Sequence, residues 1–117
     1  MSNSDCLFCK IIAGQIPAKI AYQDDKCLAF HDINPQAPTH VLVIPREHIA
    51  SLKEASASLH NELLGHLLTS AAKIASDLGI AEDGFRTVIN TGAKAGQSVF
   101  HIHVHVLGGR GLAWPPG

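Results

Sequence analysis

The segment Gly96-Gln97-Ser98-Val99-Phe100-His101-Ile102-His103-Val104-His105-Val106-Leu107-Gly108-Gly109 sets three histidines at alternate positions, with aliphatic residues at Ile102, Val104 and Val106. Alternation is the period of a β-strand, whose successive side chains point to opposite faces, so the imidazoles are expected to share one face and the aliphatic residues the other. The aliphatic face suits burial, and the imidazole face suits a site. Same-face neighbours lie roughly 6.5–7 Å apart along a strand, close enough for three rings to serve one ligand, metal or anion. Imidazole near neutral pH is a nucleophile, a proton carrier or a metal ligand. One option is therefore a three-histidine metal centre that activates water.

Two further patterns bear on that chemistry. The loop Thr91-Gly92-Ala93-Lys94-Ala95-Gly96-Gln97-Ser98 leads directly into the histidine segment. Its glycines permit close backbone approach, and exposed N–H groups with a serine hydroxyl make an anion cradle. Taken alone, the loop reads as a flexible hairpin connection. Cys6 and Cys9 form a C-x-x-C pair at the start of a short helix, a spacing that lets two thiolates reach one ion, although a closed tetrahedral site needs two more ligands. The alternative is a pair of reduced, half-buried cysteines. His60 and His66 fall on a long helix and read as solvated or edge positions, and Cys27 reads as a small buried hydrophobe.

The elements that must position these groups are legible from periodicity. Residues 6–13 read as a short helix capped by Asp5 or Ser4 and stopped at Gly14. Residues 19–23 and 27–31 read as a β-hairpin around Asp24-Asp25, and residues 40–44 as a third strand closed by Pro45. Leu59, Leu63, Leu64, Leu67, Leu68, Ala71, Ala75 and Leu78 recur every three or four residues, a long amphipathic helix with Ser58 as cap and Gly79 as stop. Residues 85–90 and 100–107 complete five strands. One long helix against a mostly antiparallel sheet is an α+β arrangement.

Composition narrows the classes. At 117 residues and 46% hydrophobic content, the chain fits a single domain, 1–117, with a core that does not depend on disulfides. Nine Lys and Arg against ten Asp and Glu give a net charge of −1, with no basic cluster, so nucleic acid and anionic membranes are poor partners. The polar start and the lack of any apolar run near the ~20 residues of a membrane span point to a cytoplasmic protein. Three cysteines, an odd number, agree with a reducing compartment.

The run His101-Ile102-His103-Val104-His105-Val106 resembles the histidine-triad pattern, and the likeness extends along most of the chain. IPAKIAYQDDKCLAFHDINPQAPTHVLVIP, GQSVFHIHVHVLGGR and the closing WPPG are similar to the Hint branch of the histidine-triad family, the purine nucleoside phosphoramidate hydrolases. The resemblance implies a five-stranded antiparallel sheet with one long and one short helix, joined to a partner's sheet across a homodimer. Each subunit would hold one purine nucleotide and cleave the P–N bond of nucleoside 5'-phosphoramidates such as AMP-lysine. His103 would attack the α-phosphorus and carry the nucleotide covalently, with His105, His40 and Ser98 completing the catalytic group. Asn90, Gly96, Gln97 and Ser98 would face the phosphate, and Asp32 would accept the ribose hydroxyls. Phe8, Ile11, Phe30, His31, Ile33 and Leu42 would wall the base pocket; singly, most of these apolar residues read as ordinary core. The tail 110–117 would reach toward the neighbouring site. Some bacterial members hold zinc through residues matching Cys6, Cys9, His48 and His101, an ion that would stabilise the short helix rather than perform chemistry. A dinucleoside polyphosphate hydrolase of the same family and a nucleotide-binding interaction protein with little turnover are the competing readings.

Overall fold

Short alternating runs separated by Asp-, Pro- and Gly-containing turns fold back on one another as antiparallel neighbours. The computed structural model describes residues 5–117. Its elements are α1 (Leu7–Ile12), β1 (Ile20–Gln23), β2 (Cys27–His31), β3 (Thr39–Pro45), α2 (Ala57–Asp77), β4 (Phe85–Val88) and β5 (Val104–Gly108). The strands form one antiparallel sheet in the order β1-β2-β3-β5-β4, so the α+β class is as expected. Among the described residues no helix is long and apolar enough to cross a membrane.

The sheet is covered on both faces, and the alternation within β2 and β3 assigns each residue its cover. Ala29, Val41 and Val43 pack with Leu67, Ala71 and Ile74 of α2, together with Val104 and Val106 of β5. Leu28, Phe30, Leu42 and Ile44 point the other way and pack against Phe8, Cys6 and Cys9 of the α1 region. Burying both faces explains why β3 is a near-continuous apolar run with two neighbours. Gly108 ends β5 beneath the α2–β4 connection, where a Cβ would stand 2.7 Å from Ile80 Cδ1; no larger residue fits without displacing Ile80.

Several elements differ from their expected form. Cys6 caps α1, its Sγ accepting from Cys9 N–H; Asp5 stands outside the helix, and Ser4 lies outside the described residues. Helix α2 begins after Ser56 rather than Ser58, and His60 Nδ1 reaches back to accept from Ser56 N–H at 2.8 Å. His60 is therefore buried, not solvated, with Nε2 3.1 Å from Glu47 Oε2. Leu59, by contrast, is 77% exposed and Leu68 46%, so the apolar stripe of α2 is broader than the face the sheet covers. The largest change concerns the histidines. The β5 ladder starts at Val104, and residues 101–103 run as an irregular segment pinned by Ile102 N–H to Ile49 O at 2.7 Å. Val43 pairs with Val104, and two residues further along β3 stands Pro45, which has no N–H to extend a ladder. The three imidazoles still lie on the α1 side of the sheet, but only His105 stands on the β5 ladder; His101 turns toward Cys6 and Cys9, whereas His103 and His105 face the cavity.

The β1–β2 turn is held by one carboxylate. Asp24 accepts from Lys26 N–H, Cys27 N–H and Tyr22 OH, and its Oδ2 lies 2.7 Å from His66 Nε2 on α2. Burial opposes its ionised form, but the bonds from Tyr22, Lys26, Cys27 and His66 outweigh that and hold the carboxyl well below the usual range. A depressed carboxyl stabilises the fold above its unfolded pKa and loses that contribution as pH falls through the folded value. Asp24→Ala strands the Cys27 N–H and Tyr22 hydroxyl and should cost about 1–3 kcal/mol, read as a lower urea midpoint at pH 7 with a smaller difference from wild type at pH 2–3. A variant as stable as wild type at pH 7 would contradict the clamp.

Candidate active site

On the α1 face, a cavity of about 380 Å³ opens between α1, the end of β2 and the segment 98–105. Phe8, Ile11, Phe30, His31, Asp32, Ile33, Leu42, Ser98, His103 and His105 line it, which brings together ten of the residues singled out from the sequence. Ile33 is fully exposed and stands at the rim. His40, Asn90, Gly96 and Gln97 do not line the cavity. Gln97 is 4% exposed and its amide is spent inside the loop: Oε1 accepts from Gly92 N–H, while Nε2 donates to Ala50 O and Val99 O. It braces the Gly-rich loop, which brings Ser98 to the cavity. Ile16, Pro17, Ala18 and Val99 also line the cavity and were not anticipated. The apolar run just before β1 was the available signal for three of them.

The ring nitrogens are assigned by what faces them. A neutral imidazole carries one N–H and one lone pair, and a backbone partner on one nitrogen decides the role of the other. His103 Nδ1 is 2.8 Å from His101 O; a carbonyl only accepts, so Nδ1 carries the hydrogen and Nε2 keeps the lone pair. His40 Nδ1 accepts from Gln36 N–H at 3.0 Å, which puts the hydrogen on Nε2, 2.9 Å from His105 Nδ1 and 3.5 Å from Asp32 Oδ2. His105 Nδ1 is then an acceptor and its Nε2 a donor. The site thus pairs a nucleophilic lone pair on His103 with an N–H on His105, the two rings 5.0 Å apart between centroids. Gln36 N–H and the His101 and Pro45 carbonyls are functional groups that sequence reading missed, because a backbone atom leaves no residue-type signal.

His101 faces elsewhere. It is fully buried, and its Nε2–H donates to Pro45 O at 2.8 Å, which turns the Nδ1 lone pair toward Cys6 Sγ (3.4 Å), Cys9 Sγ (3.5 Å) and His48 Nδ1 (3.2 Å). Cys9 Sγ lies 3.4 Å from His48 Nδ1. Four donors around a tetrahedral zinc, with Zn–S near 2.3 Å and Zn–N near 2.0–2.1 Å, are separated by about 3.3–3.8 Å. The observed spacings and the two-sulfur, two-nitrogen donor set fit such an ion. Asp32, His40 and His105 also bring ligand atoms close together, but a metal on His40 Nε2 would drive its hydrogen onto Nδ1, against Gln36 N–H. The expected option of one centre built from His101, His103 and His105 is not realised: among the described residues, His101 groups with the cysteines and His105 with Asp32 and His40.

A sequence profile of the HIT domain matches residues 13–112. The chain belongs to the HIT family. An uncharacterized HIT-like protein of Synechococcus elongatus is 58% identical over 98% of this chain and 99% of its own length. The purine nucleoside phosphoramidase of Escherichia coli K12 is 53% identical over 92% of this chain and 90% of its own. A 14 kDa zinc-binding protein of Zea mays is 50% identical over the whole chain and 91% of its own. The crystal structure of a HIT family hydrolase from Legionella pneumophila Philadelphia 1, at 50% identity, superposes with a TM-score of 0.93 over 96% of this chain and 99% of that one.

In this HIT domain the site imidazoles are held neutral. Burial lowers His105 to about 4, with His103 and His40 adding to the effect and Asp32 opposing it. Burial also lowers His40, against the pull of Asp32. For a histidine with a depressed folded pKa, the unfolded chain binds the extra proton first, so stability falls as pH drops from about 6.5 toward 4. His105 alone adds a slope of up to about 1.4 kcal/mol per pH unit in that window. Urea unfolding of wild type and His105→Gln at pH 7, 6, 5 and 4 should show a flatter decline in the variant; parallel declines would place the titration elsewhere.

Proposed function

We propose that this HIT protein is a purine nucleoside 5'-phosphoramidate hydrolase acting through a nucleotidyl-histidine intermediate. The observation that carries the reading is the lone pair on His103 Nε2, fixed by His101 O in a cavity that also holds a carboxylate at Asp32 and a hydroxyl at Ser98. The similarity to the Escherichia coli phosphoramidase supports the same substrate class. The base would lie between Phe8, Ile11, Phe30, His31, Ile33 and Leu42. Asp32 Oδ1 already accepts from Asn34 N–H, which leaves Oδ2 the better placed for ribose hydroxyls, a charge-assisted contact. Ser98 with the 90–97 loop, including Asn90, Gly96 and Gln97, would surround the phosphate.

The reaction runs in two displacements. His103 Nε2 attacks the α-phosphorus; the P–N bond to the amine breaks, and the departing nitrogen takes a proton from solvent. Water then attacks the same phosphorus, breaks the bond to His103 and releases the nucleoside monophosphate and a proton. His105, neutral at pH 7 and bearing Nε2–H, would stabilise the phosphoryl oxygens as a hydrogen-bond donor. His40 keeps that N–H in place by holding the other nitrogen of His105. Zinc at Cys6, Cys9, His48 and His101 would supply a structural tie between α1 and the segment before β5; the zinc-binding Zea mays relative and the fit of the four donors support it.

The protein would work as a cytoplasmic homodimer. β4 is an edge strand, Leu59 and Leu68 present uncovered apolar surface on α2, and Trp114 is 81% exposed on a tail held at its root by Arg86 to Ala113 O, 2.8 Å. Sedimentation equilibrium should return twice the subunit mass; a monomer at micromolar concentration would refute the assembly.

Given adenosine 5'-phosphoramidates and a diadenosine polyphosphate, the wild type should hydrolyse the phosphoramidates faster. His103→Ala should lower kcat by at least about a thousandfold, as for loss of a nucleophile acting within a catalytic unit, while AMP binds within about threefold of wild type. Preference for the polyphosphate would favour the sister activity of the family, and AMP binding without turnover of either would favour a binding protein.

A further inference from the structure

We propose that His101 is a positioning residue for His103, and that metal occupancy at Cys6, Cys9, His48 and His101 sets the orientation of the nucleophile as well as fastening α1. The inference rests on the reading of His103 as nucleophile. One residue belongs to both networks. The His101 ring offers Nδ1 to the four-donor cluster, and the His101 carbonyl takes the Nδ1–H of His103 at 2.8 Å. Whatever fixes the His101 backbone therefore fixes the axis along which His103 presents Nε2.

Apart from the burial of His101 and Ile102, few bonds fix it. Residues 101–103 precede the β5 ladder, so no strand pairing sets their position; the anchors are Ile102 N–H to Ile49 O and His101 Nε2–H to Pro45 O. Both anchor the segment to β3 and the loop after it, and neither reaches α1. The link to α1 comes from the cysteines. Helix α1 has six residues, too few to be stable in isolation, and Cys6 and Cys9 bracket Phe8, whose ring stands edge-on to His103 at 5.1 Å between centroids. Thiols and imidazoles without an ion attract weakly and in several arrangements, whereas coordination allows one. Phe8 is also held by Phe30 of β2 at 5.4 Å, so the base wall depends less on the metal than the nucleophile does. Loss of the ion should thus reach the chemical step before it reaches nucleotide affinity.

The test uses full-length protein with ¹⁵N-labelled histidine rings in three forms: loaded with one equivalent of zinc, stripped by chelator, and His48→Ala, which removes one ligand side chain but keeps the neighbouring Ile49 carbonyl that anchors Ile102 N–H. Three quantities are read: solvent exchange of the His103 Nδ1–H, AMP affinity, and the rate of nucleotidyl-histidine formation in a single turnover of an adenosine phosphoramidate. In the stripped and His48→Ala proteins, exchange should quicken and nucleotidylation slow by about tenfold, the scale of a lost outer-shell partner, with AMP affinity within about threefold. Added zinc should restore the stripped wild type and not the variant. Unchanged His103 exchange and rate without metal would overturn the proposal, as would failure to bind zinc, or losses of rate and affinity in equal proportion. Absence of a nucleotidyl adduct in every form would instead sink the functional reading, and the exchange measurement alone would then decide the positioning claim.

Discussion

Each imidazole in this site has a single N–H and a single lone pair, and in three of them the fold spends one of the two on a backbone group, while His105 takes its partner from His40. His103 gives its hydrogen to the His101 carbonyl, His101 gives its hydrogen to the Pro45 carbonyl, and His40 takes one from the Gln36 amide. Those three bonds leave a free lone pair on His103 Nε2, a lone pair on His101 Nδ1 facing the cysteines and His48, and a hydrogen on His105 Nε2, which the proposed function uses for attack, metal binding and the phosphoryl group respectively. Chemically identical side chains thus receive different tasks from the main chain around them. The assignment is firm because each backbone partner is itself an obligate donor or an obligate acceptor.

The sheet exists to place those partners. β3 contributes Pro45 at one end and His40 at the other, and its central position between β2 and β5 fixes both. α2 closes one face with an aliphatic core, which frees the opposite face for α1 and the cavity. The division is unequal in strength. The α2 face rests on a 21-residue helix packed across the central strands, whereas the α1 face rests on a helix of six residues, two aromatic side chains and the cluster of Cys6, Cys9, His48 and His101. The face that carries the cavity is accordingly the more weakly held of the two.

Much of this was legible in the sequence, and the failures have specific causes. Alternation and turn residues located the strands, since β2 and β3 bury both faces and still obey the period of two. The C-x-x-C pair, with the family resemblance supplying His48 and His101, named the four donors that the structure gathers. At the histidines alternation put the three rings on one side of the sheet, where they lie, but it overextended the strand: the ladder starts at Val104, and His101 turns to the cysteines while His103 and His105 face the cavity. Periodicity also overstated the buried side of α2 at Leu59 and missed His60, whose polar ring is buried because it caps the helix start. The resemblance marks Gln97 as a phosphate contact, but its amide is consumed by backbone groups of Gly92, Val99 and Ala50, a use that residue type alone does not reveal.

The most direct measurement is the ¹⁵N spectrum of ring-labelled histidine in the free protein at pH 7, where both nitrogens of each site imidazole report whether they carry hydrogen. The structure requires His103 with hydrogen on Nδ1 and none on Nε2, and His40 and His105 with hydrogen on Nε2. A His103 protonated on Nε2, or a charged His105, would leave no lone pair or the wrong donor facing the cavity and would contradict the account at its root.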